Sequence, residues 1–153
     1  MGKIIAIVGM CGSGKSVACD YLENLGYKKV YFGGVTMDKL KEIGLEITPD
    51  NEKMMREKLR QDLGMGAYAK VLLSKIKELS INNNVVLDGL YSWDELVILN
   101  NEFKMTTIAV VADKKLRYER LEKRVVRPFS KSDAIKRDVS EIENIAKAGP
   151  IAY

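Results

Sequence analysis

The chain has 153 residues, of which 46% are hydrophobic and 30% are charged, a composition typical of a globular protein with one substantial core. The absence of histidine excludes Ser-His-Asp catalysis, imidazole bases and histidine metal ligands. The two cysteines are too few for a disulfide scaffold, and no apolar run is long enough to span a membrane. We therefore expect a cytoplasmic protein with no membrane partner.

The net charge of +4 is concentrated in one segment. Residues 114–137 contain ten Lys or Arg against three Asp or Glu. Such density favours either an anionic partner or a solvated helix face. The aromatic residues of a base-stacking platform do not alternate with these charges, so we expect nucleotide phosphates as the partner rather than nucleic acid.

The first predicted element is a buried strand over residues 4–8, which is apolar and rich in β-branched residues. It leads into residues 9–16, which fit the pattern G-x-x-x-x-G-K-[ST], and a helix of about Ser16 to Leu25 follows. Strand, glycine loop and helix in this order predict a phosphate-binding loop. The alternative is a glycine-rich turn with an incidental lysine. The residues predicted to bind the nucleotide are Gly9, Cys11, Gly12, Ser13, Gly14, Lys15, Ser16 and Val17.

The chemistry of a triphosphate explains this sequence. Glycines allow backbone N–H groups to approach the anion, and the helix N-terminus points its dipole at the same charge. Lys15 is expected to bridge the β- and γ-phosphates of ATP, and the Ser16 hydroxyl to bind Mg²⁺.

Strands and helices alternate along the remaining sequence, which predicts an α/β fold with a parallel sheet. The predicted strands are 27–32, 85–89 and 106–111, and the predicted helices are 35–43, 51–62, 67–79, 93–101, a basic helix from Asp113 to Pro128, and 132–147. Gly9, Gly33, Asp88 and Asp113 each follow or end a strand. They are therefore expected at the edge of the sheet where ligands bind.

Asp88 follows three apolar strand residues, as a Walker-B acid does. It is predicted to hold Mg²⁺ near Ser16, directly or through water, or to orient the attacking group. The alternative is an aspartate that caps the next turn.

Arginines recur at positions 117, 120, 124 and 127, so the first three are predicted to share a helix face. Arg117, Arg120 and Arg124 are candidate catalytic residues because guanidinium groups stabilise a phosphoryl-transfer transition state. A helix of this kind could close over ATP as a lid. The alternative is an exposed helix in which Glu119 and Glu122 are the partners of these arginines.

The segments GMCGSGKS, LRQDLGMGA, VVLDGLYSWDEL and RYERLEKR together resemble the P-loop nucleoside monophosphate kinase group, and in particular dephospho-CoA kinase-like and adenylate-kinase-related proteins. The resemblance covers essentially the whole chain. It implies a P-loop NTPase three-layer sandwich of one domain over residues 1–153, with a five-stranded parallel core. It also implies an acceptor-binding helical segment at about 34–80 and a lid at about 114–131.

The same resemblance implies ATP and Mg²⁺ as cofactors and a small nucleotide-like acceptor. It assigns Lys15, Asp88 and the three lid arginines to catalysis and the magnesium region. The residues on the acceptor side are Gly33, Arg60 and Tyr91.

Three features depart from the family pattern. Met37 and Tyr91 stand where relatives tend to have arginines that clamp an acceptor phosphate. Losing two charge-assisted contacts should weaken binding of a plain nucleoside monophosphate, so either the acceptor differs or its site has degenerated. Relatives also continue with a further strand and helix after a stretch like residues 149–153, so we expect the C-terminal strand to be missing.

Three functions remain open. The first is an ATP-dependent kinase of a mononucleotide or dephospho-CoA. The second is a nucleotide-dependent switch or ATPase, and the third a nucleic-acid-associated P-loop protein that uses the basic segment.

Overall fold

The computed structural model describes residues 1–124 and 128–142, with the side chains of residues 141 and 142 excepted. The strands are β1 (Ile4–Val8), β2 (Lys28–Tyr31), β3 (Val85–Asp88) and β4 (Met105–Ala109). The helices are α1 (Lys15–Asn24), α2 (Gly33–Glu42), α3 (Pro49–Leu63), α4 (Ala67–Asn82), α5 (Trp93–Glu102), α6 (Lys114–Lys123) and α7 (Lys131–Ile142).

The sheet has the strand order β2-β3-β1-β4, and every strand pair is parallel, as the alternation of elements predicts. The register aligns Asp88 of β3 with Ile7 of β1 on one side and with Tyr31 of β2 on the other. The carboxyl ends of these three strands therefore lie side by side. The predicted edge for ligands is formed there.

Alternate residues of the central strands face opposite layers, which confirms the three-layer α/β fold. Ile4, Ala6 and Val8 of β1 pack into a large core with residues of α2, α3, α4 and α5. Ile7 packs on the other face against the buried Cys19 of α1. Helix α1 is thus fixed under the sheet directly after the glycine loop.

The starts of two helices lie two residues before the predicted starts, for local reasons. Helix α2 already begins at Gly33, because Phe32 takes helical backbone angles and its side chain is buried. Helix α3 begins at Pro49, and the Thr48 hydroxyl accepts a hydrogen bond from the Asn51 N–H at 3.2 Å. Among the described residues, no helix is both long and apolar enough to cross a membrane.

The basic helix α6 is shorter than predicted. It ends at Lys123, and Arg124 follows with extended backbone angles, so the helix does not reach Pro128. Residues 125–127 and 143–153 lie outside the described part, so the predicted end of the last helix at Lys147 is not described. The segment after Gly149 is not described either.

The sheet is covered unevenly. Strand β4 is exposed along most of its length, with Ile108 at 43% exposure, whereas the central strands β1 and β3 are largely buried. Four strands are present in the described residues, where the family resemblance implies five. The outer edge of β4 therefore has no neighbouring strand within the part of the chain that the structure describes.

Candidate functional site

The loop between β1 and α1 has the backbone that a phosphate cradle needs. Gly9 has φ 154° and Gly12 has φ 80°, a region that side chains other than glycine rarely adopt. A Cβ on Gly9 would collide with the Val110 carbonyl oxygen, and a Cβ on Gly12 would lie 2.8 Å from the Arg117 carbonyl oxygen. The glycines are therefore required both by the loop conformation and by close packing from outside.

The N-terminus of α1 opens toward this loop. Its N-cap is Gly14, which supplies no side-chain hydrogen bond to the first N–H groups. The Lys15 ammonium donates to the carbonyl oxygens of Gly9 and Met10 at 2.7 and 2.9 Å. Ser13 is buried, and its hydroxyl has no hydrogen-bond partner among the described residues. Ser16 is exposed and lies in the first turn, while the side chain of Val17 is 72% exposed and turned to solvent.

Asp88 lies at the end of β3, as predicted, and its surroundings affect its charge. Burial raises the pKa of Asp88, although Lys29 and Lys15 both lower it. Burial, followed by the Asp88 charge, raises the pKa of the Cys19 thiol to about 12, so this thiol is protonated and donates to the carboxyl group. Because Lys15 lowers the pKa of Asp88, these two residues are within electrostatic range of each other.

These residues fit a nucleoside triphosphate with Mg²⁺. The glycine cradle, the uncapped helix end and the unpartnered Ser13 hydroxyl supply donors to phosphate oxygens. The Ser16 hydroxyl and the Asp88 carboxylate are hard oxygen ligands of the type that magnesium takes. No group of three or more acidic or cysteine side chains converges as a metal site in the described ranges, so phosphate oxygens would supply most of the ligands.

Arg117 is placed differently from the other predicted lid arginines. It is 5% exposed, and its guanidinium forms two 2.8 Å bonds to the Asp138 carboxylate of α7. It also donates to the Cys11 carbonyl oxygen at 3.2 Å, and the Tyr118 hydroxyl donates to Asp138 at 3.0 Å. Arg117 thus ties α6 and α7 to the glycine loop instead of projecting into solvent.

Arg120 and Arg124 do not share one environment, contrary to the expectation from their spacing. Arg120 is exposed and donates to the carbonyl oxygens of Gly12 and Ser13 at 3.4 and 3.3 Å, so it lies against the phosphate loop. Arg124 follows the end of α6, and its guanidinium stacks on Phe129 at 4.7 Å. Arg127 lies outside the described residues.

Among the residues predicted for the acceptor, the Arg60 guanidinium carbon lies over two aromatic rings. It lies 4.6 Å from the centre of the Tyr91 ring and 5.5 Å from that of Tyr68. The Tyr68 hydroxyl is hydrogen-bonded to Thr36 at 2.6 Å, which fixes that ring. Arg60 and Tyr91, which only the family resemblance assigned to one site, are therefore neighbours.

Glu95 is a buried member of this cluster that the sequence analysis did not single out. It is fully buried, and its Oε2 atom accepts from the Tyr91 N–H at 3.4 Å. The Ser92 hydroxyl in turn accepts from the Glu95 N–H at 3.2 Å, which makes S-x-x-E a capping box that the sequence could have revealed. Burial raises the pKa of Glu95 to about 7, although the positive charge of Arg60 lowers it.

Arg56 is the second residue that the sequence analysis missed, and its position one turn before Arg60 is the only signal. Burial lowers the pKa of Arg56, and the charges of Arg137 and Arg60 lower it further. Gly33 lies in the first turn of α2, where the Tyr31 ring packs against it, so it does not border Arg60 through any described contact.

We predict that Asp138→Asn destabilises the protein by about 3 kcal/mol, because it leaves the buried Arg117 charge without its carboxylate. Asp62→Asn is the matched control, since Asp62 pairs with Lys58 in an exposed ion pair and should cost less than about 1 kcal/mol. Urea unfolding measures both values. Equal losses in the two variants would contradict the structural role assigned to Arg117.

We also predict that Glu95→Gln raises the free energy of unfolding relative to wild type, and that this difference increases with pH. The pKa of Glu95 is raised from 4.5 to about 7, so the folded state binds the proton more tightly and wild-type stability falls between these pH values. Glutamine keeps the cap but cannot ionise. Relative to wild type, the variant should gain about 3 kcal/mol between pH 4.5 and pH 8 in urea unfolding. The exposed Glu57→Gln is the control, and a pH-independent difference for Glu95→Gln would contradict the prediction.

Comparison with known proteins identifies the family. The AAA domain family model matches residues 5–143. A UPF0200 protein of Thermococcus onnurineus is 36% identical over 146 residues, which are 92% of this chain and 79% of that protein. The chain spans 64% to 68% of the length of four further relatives of that name.

Solved structures of similar fold are more distant in sequence. TT1252 from Thermus thermophilus has a TM-score of 0.62 at 19% identity, over 97% of this chain and 85% of that one. A gluconokinase from Sinorhizobium meliloti has a TM-score of 0.52 at 16% identity, over 99% and 85%. These likenesses concern the fold alone. The chain belongs to the AAA domain family and to the UPF0200 proteins.

Proposed function

We propose that the protein is an ATP-dependent phosphotransferase that moves the γ-phosphoryl group to a small nucleotide-like acceptor, a mononucleotide or dephospho-CoA. One observation carries the proposal. The left-handed glycine loop, the uncapped α1 N-terminus and Lys15 converge beside Asp88 at one edge of the sheet. A loop built in this way binds a polyphosphate through backbone N–H groups and a lysine.

Each residue has a distinct task in this proposal. Lys15 would leave the Gly9 and Met10 carbonyl oxygens and turn to the β- and γ-phosphates. Ser16 and Asp88 would hold Mg²⁺, which supplies positive charge that neutralises the phosphate oxygens. Arg120 would exchange its loop carbonyl contacts for phosphate oxygens, and Arg117 would position it by holding α6 on the loop.

The acceptor would enter between the phosphate loop and the helical segment at about 34–80. Arg60 supports this assignment because its guanidinium carbon lies over the Tyr68 and Tyr91 rings, which places a positive charge there. We propose that residues 1–153 act as one domain, with residues of about 114–131 as the lid. Both cysteines are free, which supports a reducing cytoplasmic location. We propose no nucleic-acid partner.

A nucleotide-dependent switch or ATPase is the second candidate. The observation in its favour is that Tyr91, at the position where the family resemblance implies an arginine, lies against Arg60 and offers no charge of its own. In that case ATP would be hydrolysed without a phosphorylated acceptor.

We predict that ADP release is stimulated by one acceptor and depends on Lys15. A coupled ADP-release assay with ATP and Mg²⁺ would be run over all nucleoside and deoxynucleoside monophosphates and dephospho-CoA. Lys15→Ala should lower the stimulated rate by about 100-fold or more, because it removes a charge from the transferring phosphate. Lys104→Ala, at an exposed lysine outside the proposed lid and acceptor segment, should change it by less than about twofold.

Two results would contradict the kinase assignment. ADP release that is equal with and without every acceptor, yet lost in Lys15→Ala, would identify the ATPase. Failure of ATP and ADP to bind in calorimetry would refute both candidates.

A further inference from the structure

Helix α1 (Lys15–Asn24) buries one side chain, the thiol of Cys19, which is 0% exposed. This thiol packs with Ile7 of β1 and Val86 of β3 on the face of the sheet that α1 covers. A free cysteine in such a place behaves as a small apolar residue that carries a weak S–H donor. The acceptor of that S–H group must therefore come from the ends of these two strands.

The register of the sheet places Asp88 next to the thiol. Side chains two residues apart on a strand lie on the same face, so Asp88 shares the face of Val86. Asp88 is also the direct neighbour of Ile7 across the pair of β1 and β3. Because Cys19 packs against both Val86 and Ile7, Asp88 lies beside it toward the carboxyl end of the sheet.

The Cys19 thiol donates a hydrogen bond to the Asp88 carboxylate. Burial, followed by the Asp88 charge, raises the pKa of the thiol, so the thiol keeps its proton at neutral pH. A hydrogen bond to a charged acceptor is stronger than one between neutral groups. One proton engages one carboxylate oxygen, which leaves the lone pairs of the other oxygen for a second partner.

The same helix carries the Ser16 hydroxyl one turn earlier. Ser16 and Cys19 are three residues apart, so their side chains are neighbours along α1. Ser16 is exposed just after the glycine loop, whereas Cys19 is buried between α1 and the sheet. One helix therefore carries a proposed magnesium ligand and, one turn later, the donor to the other proposed ligand, Asp88.

A neutral donor suits a carboxylate that binds a metal ion. Lys29 of β2 lowers the pKa of Asp88 through its charge, but its ammonium is paired with Glu23 at 2.9 Å. A cation bonded directly to Asp88 would compete with a metal ion for the negative charge. The thiol adds a hydrogen bond without adding a charge, so it can fix the carboxylate and leave its charge for the metal.

We propose that Cys19 is a positioning residue of the magnesium site, and that its thiol fixes the orientation in which the Asp88 carboxylate binds the cation. The inference rests on the nucleotide and metal part of the proposed function and not on the acceptor. Hydrogen-bond partners orient the ligands of a metal, and their removal typically lowers metal affinity by about 10- to 100-fold. Packing alone would require a small apolar side chain at position 19 and no donor.

Calorimetry with ADP at a series of Mg²⁺ concentrations tests this role, because it separates binding of the nucleotide from binding of the metal. Cys19→Ala removes the donor and should raise the Mg²⁺ concentration that gives half of the metal-dependent gain in ADP affinity by about tenfold or more. The Kd of ADP without Mg²⁺ should change by less than about twofold, since the glycine loop is intact. General damage to the site would weaken metal-free binding as well.

Two further variants separate the hydrogen bond from packing. Cys19→Ser keeps a donor at nearly the same place and should bring the Mg²⁺ requirement back to within about threefold of wild type. Val86→Ala opens a cavity in the same cluster but leaves the donor. It should lower the melting temperature and change the Mg²⁺ requirement by less than about twofold. Thermal unfolding of every variant shows whether it is folded.

Infrared spectroscopy observes the S–H group directly and does not need Cys19→Ala to fold. The S–H stretching frequency falls when the thiol donates a hydrogen bond, and loss of a band in Cys19→Ser identifies the band of Cys19. We expect this band to rise in frequency when Mg²⁺ and ADP bind together, because the cation draws electron density from the carboxylate, and to stay in place with ADP alone. Asp88→Asn offers a weaker acceptor and should raise the frequency without any ligand.

Three results would overturn the inference. They are a Mg²⁺ requirement that is unchanged in Cys19→Ala, an equal increase in Cys19→Ala and Val86→Ala, and an S–H band that neither Mg²⁺ with ADP nor Asp88→Asn moves. The expected shift in Mg²⁺ requirement, together with ADP release that no acceptor stimulates, would remove the kinase and keep this role of Cys19. Wild-type ADP binding that is independent of Mg²⁺ would overturn this role and the magnesium part of the proposed function together.

Discussion

The structure depends on how closely the phosphate loop is packed from outside. The Val110 carbonyl oxygen, just beyond β4, leaves no room for a Cβ on Gly9, and the Arg117 carbonyl oxygen leaves none on Gly12. The loop conformation is therefore fixed by its glycines and also by the backbone of β4 and α6. This arrangement links the end of β1 to the basic segment more than 100 residues later in the chain. A change in the position of α6 must therefore alter the packing of the phosphate loop.

The spacing of the arginines in the basic segment does not reveal this contact between α6 and the phosphate loop. Positions 117, 120 and 124 predict one helix face, yet the structure places the three side chains in three environments. Arg117 forms a buried ion pair because Asp138 lies opposite on α7, and no local pattern identifies a partner 21 residues away. Arg124 leaves the helix because α6 ends at Lys123. Helix periodicity predicts the face of the helix on which a side chain lies, but it does not predict which residues of other elements pack against that face.

Most of the fold could be predicted, because alternating strands and helices leave few topologies and the phosphate loop fixes the position of the first strand and helix. The end of β3 was predicted well, since Asp88 is a strong local signal, whereas α3 begins two residues before its predicted start because Thr48 caps it. The acceptor cluster could not be assembled in the same way. Arg60, Tyr68 and Glu95 belong to three helices, and only packing of those helices brings them together. Glu95 also has a sufficient local explanation as a helix cap, which conceals its burial beside Arg60.

The positive side chains at the phosphate loop and at Arg60 have different partners, and this difference bears on the proposed function. On the phosphate-loop side, Lys15 and Arg120 already donate to backbone carbonyl oxygens, which a bound polyphosphate can replace without leaving a bare charge. At the proposed acceptor residues, the Arg60 guanidinium carbon lies over two tyrosine rings, and its buried Nε has no acceptor among the described residues. Lys15 and Arg120 can exchange their carbonyl partners for a ligand when it binds. Arg60, in contrast, already lies against the two tyrosine rings before a ligand binds. A fixed guanidinium selects for the shape and charge of its ligand. In the proposed phosphotransferase, discrimination among acceptors is therefore expected to come from the residues of α3 and α5, and the glycine loop is expected to bind the polyphosphate of the donor.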